Sequence, residues 1–219
     1  MFCTAFRTAE AVAERNNMFT KTQRRTLWIA TVALLAALII VLQALSTVIH
    51  FGPVNITLAL TPIIIGAAIF GWKTGMFLGF IFSLVVFILG ITGADGGFVL
   101  LMMDHNAFFT VVICLLKGTA AGAVAGLVYH PLAKKPLLAT LAASAATPIV
   151  NTGLFALAMV TIFFGFLSGM AGDSNPIGFL LTAFIGINFL VEFAVNMLLG
   201  TTLSRIIGIY QKKFSVKFK

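Results

Sequence analysis

From Leu27 to Ile49 the chain runs without a charged residue, directly after Lys21, Arg24 and Arg25. Such a run is long enough to cross the hydrocarbon core of a bilayer, which takes about 20 residues of helix. In lipid the backbone has to satisfy its own hydrogen bonds, so the run must be helical. Its basic flank places the N-terminal end in the cytoplasm. Ala33 and Ala37 lie one turn apart and form a shallow groove where another helix can approach closely.

Five further apolar runs follow, at about 56–71, 75–92, 107–129, 137–167 and 177–208, each bounded by Gly, Pro, Asn, Asp or basic residues. Composition agrees, because a chain that is 60% hydrophobic and 9% charged cannot cover itself with polar surface. The sequence therefore predicts an all-α integral membrane protein with six transmembrane helices. The second and third runs are short and contain Pro62, and Gly75, Gly79 and Gly90, respectively; kinks or room for a cavity are expected there. Apart from Lys117, every Lys and Arg lies in the N-terminal segment, the 2–3 turn, the 4–5 loop or the C-terminal end, while the opposite loops carry Asp95, Asp104 and Asp173. Both termini are thus expected in the cytoplasm, with loops 1–2, 3–4 and 5–6 outside. The division is a cytoplasmic segment 1–24, a membrane domain 25–210 and a basic tail 211–219. Met18 opens a more ordinary start, which makes residues 1–17 an extension without assigned function.

Several classes drop out. The net charge of +8 falls in short clusters between apolar runs, which argues against nucleic acid. Cys3 and Cys114 have no metal-ligand or disulfide spacing. No phosphate loop, zinc motif or catalytic constellation is present, so no enzyme and no cofactor is expected in this chain. Any energy for transport comes from a gradient or from another subunit.

Ionisable groups at membrane depth are costly and call for a reason. There are two, Lys117 and Glu192. They can pair to fix helix 4 against helix 6, or serve binding or coupling; the residues alone leave both readings open. Asn188, Glu192 and Asn196 recur at helical spacing and form a stripe that must face protein, water or ligand. Asn151 follows Pro148 by three residues, where the missing proline N–H frees a carbonyl. Asn55 is expected to start helix 2, His50 to end helix 1, and Gln43 to lie about two turns deeper. Asp104 and Asn106 are placed to cap helix 4, with His105 between them. Gly118, Gly122 and Gly126, spaced by four, point to close packing inside the bundle. Trp28 and Trp72 are expected at the cytoplasmic interface.

Three groups of residues carry a family resemblance: Arg25 to Leu38 around Ala33 and Ala37; Val54-Asn55 to Pro62 with Gly71-Trp-Lys-Thr-Gly75; and Leu115-Leu-Lys117-Gly118, Pro148-Ile-Val-Asn151-Thr-Gly153 and Asn188-Phe-Leu-Val-Glu192. Together they resemble the substrate-binding S components of energy-coupling factor (ECF) vitamin transporters and look most like the pantothenate-type members. The resemblance implies a plasma-membrane protein that binds a vitamin near its outer face, with Asn55, His105, Lys117, Asn151, Asn188 and Glu192 as the candidate binding set. It further implies that Ala33 and Ala37 dock on a transmembrane coupling subunit driven by two ATPases, which use the ATP that this chain does not. Riboflavin, folate or a pyrimidine precursor remain open as ligands. So does a standalone gradient-driven transporter that uses Lys117 and Glu192 as a relay.

Overall fold

The computed structural model describes residues 21–46, 50–51, 54–55, 59–94 and 96–214. Helix α1 (Lys21–Ser46) leads into a small antiparallel ladder, β1 (His50–Phe51) against β2 (Val54–Asn55). The helices α2 (Leu60–Phe70), α3 (Trp72–Ile91), α4 (Phe98–Tyr129), α5 (Pro136–Thr161), α6 (Phe164–Ala171) and α7 (Pro176–Phe179) follow. A π-helical segment, Leu180–Gly186, then continues into α8 (Ile187–Phe214). Among the described residues, five helices are long and apolar enough to cross a membrane. The second of the expected spans is shorter than its apolar run, with 11 residues in α2. A helix of that length reaches only about half of a bilayer core. It is tolerated because protein surrounds it: Leu60, Ile63, Ile64 and Ala67 are completely buried. Non-helical backbone at membrane depth is viable only under such cover.

Two expectations about this region are corrected. Asn55 lies in the ladder, in register with His50, so it does not start helix 2 and His50 does not end helix 1. Pro62 falls in the first turn of α2, where its missing N–H has no helical partner to lose, so it makes no break.

The glycines of α3 likewise produce neither a kink nor a void. Helix α3 runs unbroken for 20 residues, and its glycines meet those of α4. A methyl group on Gly75 would collide with the Gly122 carbonyl, and one on Gly79 with the Gly118 carbonyl. At the end of the seam a methyl on Gly126 would stand 2.7 Å from the Trp72 nitrogen. Four-residue spacing puts Gly118, Gly122 and Gly126 on one stripe, so the two backbones touch along three turns. Further along α3, the side chain of Val99 fills the space above Gly90. Gly71 links α2 to α3 with φ +97°, a conformation costly for other residues, and so allows an immediate reversal.

Helix α1 buries Val32, Leu35 and Ile39 against Ala59, Leu60, Ile63, Leu78 and Phe82. Trp28 Nε1 donates to Thr74 Oγ1 at 3.3 Å, and Thr31 Oγ1 lies 2.9 Å from the Tyr210 hydroxyl. Gly71 sits beside His130. These contacts gather the start of α1, the α2–α3 turn, the α4–α5 loop and the end of α8 at one end of the bundle. It is the end to which the sequence assigns the Lys and Arg clusters, and Trp72 there is 41% exposed, as a belt residue is.

Replacing Gly122 by Leu is expected to lower stability by about 1–3 kcal/mol through overpacking of this seam. Gly208→Ala, inside α8 where the added methyl meets nothing within 4 Å, is expected to raise it by up to about 1 kcal/mol through helix propensity. Thermal unfolding of the purified variants in detergent measures both.

Candidate functional site

The site begins with a fold-back that the apolar pattern did not reveal. Asn106 has φ −159° and ψ 96°, so the helix Phe98–Tyr129 is two helices joined at an extended residue. Thr110 Oγ1 lies 2.9 Å from the Met102 carbonyl and 2.7 Å from that of Asn106. In a straight helix residues eight apart are separated by about 12 Å, so the first part has turned back along the second. Asn106 Oδ1 accepts from the Phe109 N–H at 3.2 Å, which is the expected cap. Asp104, the other expected cap, is exposed.

The folded-back segment closes one end of the bundle. Phe98 and Met102 pack with Ile113, Met159, Phe163 and Leu167. Phe98 meets Phe155 edge-on at 6.0 Å, and His105 stacks on Phe166 at 5.8 Å and Phe163 at 6.0 Å. His105 itself is exposed, so it forms the rim of this aromatic cover. The cover at this end of the bundle is thus aromatic, made of Phe and His.

Beneath the cover lie the polar groups at membrane depth. Lys117 Nζ sits 5.2 Å from the centre of the Phe155 ring, a cation–π distance. One turn before Phe155 on the same helix is Asn151, 8% exposed, whose Oδ1 has no hydrogen-bond partner. Helices α5 and α8 run antiparallel and touch where Gly200 approaches Ser144 Oγ. Two turns from that contact, Asn151 on α5 comes level with Glu192 on α8. Glu192 is 6% exposed, its Oε1 lacks a hydrogen-bond partner, and Lys117 acts on it electrostatically. Buried polar atoms are normally paired, and each exception calls for an explanation. Here an ammonium, an amide oxygen and a carboxylate oxygen are offered around one level of the bundle.

Asn196 behaves differently. Its Nδ2 donates to the Glu192 carbonyl at 2.9 Å and its Oδ1 accepts from Thr61 Oγ1 at 3.3 Å, so it ties α8 to α2. Of the polar stripe on α8, Asn196 is structural and Glu192 is left unsatisfied. Asn188 takes up a helical backbone just after the π-helical segment, and its side chain, like that of Asn55, lies outside the described residues. Gln43 was missed as a site residue although it resembles Asn151: it is 4% exposed and its Oε1 is unpaired. Its place on the buried stripe of α1, one turn beyond Ile39, was the available signal. Ala33 and Ala37 lie on the opposite face of α1, exposed beside Leu34, which is 70% exposed.

Fold and site together define a multi-pass membrane protein with a covered polar cluster in its interior and a bare small-residue face on its first helix. Residues 28–207 match the family described as ECF transporter, substrate-specific component, and the chain belongs to that family. It is thus a substrate-binding component for uptake, in the plasma membrane. Over 185 residues it is 29% identical to the pantothenic acid transporter PanT of Lactococcus lactis subsp. cremoris, covering 80% of this chain and 90% of that protein.

Removing the Asn196 tie by Asn196→Ala leaves the Thr61 hydroxyl and the buried surroundings unpaired, and is expected to cost about 1–3 kcal/mol. Denaturant or thermal unfolding of the variant checks this.

Proposed function

We propose that this chain is the pantothenate-binding component of an ATP-driven ECF importer. The observation that carries the reading is the cluster of half-buried Lys117 with buried Asn151 and Glu192, the latter two with unsatisfied oxygens under an aromatic cover. Pantothenate presents a carboxylate, an amide and two hydroxyl groups. Lys117 takes the carboxylate as a charge-assisted donor, Asn151 the amide and Glu192 a hydroxyl. The likeness to a pantothenic acid transporter supports the choice of this vitamin. His105 stands at the entrance, with Asn55 and Asn188 completing the set.

In this reading the chain crosses the membrane six times, with the protein-surrounded α2 as the second crossing and both termini in the cytoplasm. The aromatic cover then faces outward. The exposed face of α1 at Ala33 and Ala37 docks a transmembrane coupling subunit. Two ATPase subunits drive that subunit, and the ATP is theirs.

Pantothenate binding to the purified protein tests the ligand, with riboflavin, folate and pyrimidine precursors as comparisons. Lys117→Met is expected to weaken binding at least tenfold, since a hydrogen bond to a charged group contributes about 1.5–3 kcal/mol. Asn151→Ala is expected to weaken it about fivefold, on the scale of a neutral bond of about 1 kcal/mol. Wild-type affinity in Lys117→Met would remove the anion anchor. Ala33→Trp is expected to abolish uptake in cells carrying the complete transporter while ligand affinity stays intact. Normal uptake by that variant would exclude the docking face.

A further inference from the structure

Helix α2 packs against α1, α3, α4, α5 and α8, the five helices long enough to cross a membrane. Those five pack on one another in the order α1, α3, α4, α5, α8, and the contact of Thr31 with Tyr210 joins α8 back to α1. A short helix thus stands inside a ring of long ones. The ring continues toward the aromatic cover past the point where α2 begins, at Leu60.

Three of the ring helices carry a polar group at that level. Thr61, in the first turn of α2, meets Asn196 on α8, and Glu192 lies one turn nearer the cover. Asn151 on α5 is level with Glu192. On α4, a methyl added to Gly122 would stand 3.2 Å from Ile63 of α2, and Lys117 precedes Gly122 by five residues, again toward the cover.

Helix α1 brings a fourth. Its buried stripe is Val32, Leu35, Ile39, Gln43 and Ser46, at helical spacing. Ile39 belongs to the cluster that holds Ala59, Leu60 and Phe82, and Phe82 Cδ1 would lie 2.7 Å from a methyl on Gly118, the neighbour of Lys117. Gln43 is one turn beyond Ile39 toward the cover, and so past the start of α2. Ser46 satisfies its hydroxyl locally by donating to the Leu42 carbonyl at 2.8 Å. The Gln43 side chain is almost fully buried as well, yet its Oε1 has no hydrogen-bond partner. An apolar residue there would continue the stripe without leaving a buried acceptor unpaired, which is costly.

We propose that Gln43 is a substrate-contacting residue, its side-chain carbonyl accepting a hydrogen bond from a ligand hydroxyl. This inference rests on the pantothenate reading above, in which Lys117, Asn151 and Glu192 take the carboxylate, the amide and one hydroxyl. The second hydroxyl is then the donor for Gln43. Helix α1 thereby contributes to recognition through the face opposite Ala33 and Ala37.

Affinities of the full-length protein for pantothenate and for two analogues, each lacking one hydroxyl, test the assignment in the wild type and in Gln43→Leu. The variant is expected to bind pantothenate about fivefold more weakly, on the scale of one neutral hydrogen bond. For the analogue that lacks the hydroxyl held by Gln43, wild type and variant are expected to bind alike. For the other analogue the fivefold difference is expected to persist. The unfolding midpoint of the ligand-free variant is expected at or above that of the wild type, because an unpaired buried acceptor has gone. Unchanged pantothenate affinity in the variant overturns the assignment and leaves the ligand reading standing. So does an equal loss for all three ligands, which is what a merely structural role produces. Absence of pantothenate binding to the wild type overturns the ligand reading and this assignment together. Should Gln43→Leu not fold, the unbranched Gln43→Met carries the same comparisons. Failure of both variants to fold makes Gln43 a structural residue and overturns the assignment.

Discussion

Along the seam between α3 and α4 two helix backbones touch, because Gly75 and Gly79 face Gly118 and Gly122 with no side chain between them. In a bilayer there is little hydrophobic gain in pressing helices together, so close van der Waals contact of this kind has to supply the association. The seam also sets where α4 lies, and Lys117 is the residue next to Gly118. Its stem leaves the helix beside the glycine face and ends over Phe155 on α5. A pair of glycine stripes thereby sets where the backbone that carries Lys117 lies.

The extended residue Asn106 does the second piece of positioning. By reversing the chain it lays Phe98 and Met102 over the end of α4 and against α5 and α6. That cover lies over Asn151 and Glu192, which are buried, and the low dielectric of a buried site strengthens electrostatic interactions there. The same low dielectric makes unpaired groups expensive, which is why the unsatisfied oxygens of Asn151 and Glu192 call for an explanation. Asn196, a turn away on the same helix as Glu192, shows the alternative, with both ends of its amide in use.

The first helix divides its labour between two faces. One face, with Val32, Leu35 and Ile39, belongs to the core, while Ala33, Ala37 and Leu34 remain bare. Small residues could equally have been spent inside the bundle, as the glycines of α4 are. Their exposure leaves a strip of small side chains along the outside of α1.

Much of this architecture was legible in the residues. Apolar runs are additive along the chain, so the five long apolar helices, their order and the clustering of basic residues follow from local composition, and the four-residue glycine repeat already states a packing stripe. The family signature was readable for the same reason, since its motifs sit on those spans. What only the tertiary structure decided was which polar atom finds a partner and where the chain turns without leaving the apolar pattern. Thr61 and Asn196 are 135 residues apart, so no spacing rule could separate Asn196 from Asn151. The reversal at Asn106 and the short, enclosed α2 are hidden likewise, because hydrophobicity reports burial in lipid or protein alike and carries no sign of which of the two a residue meets.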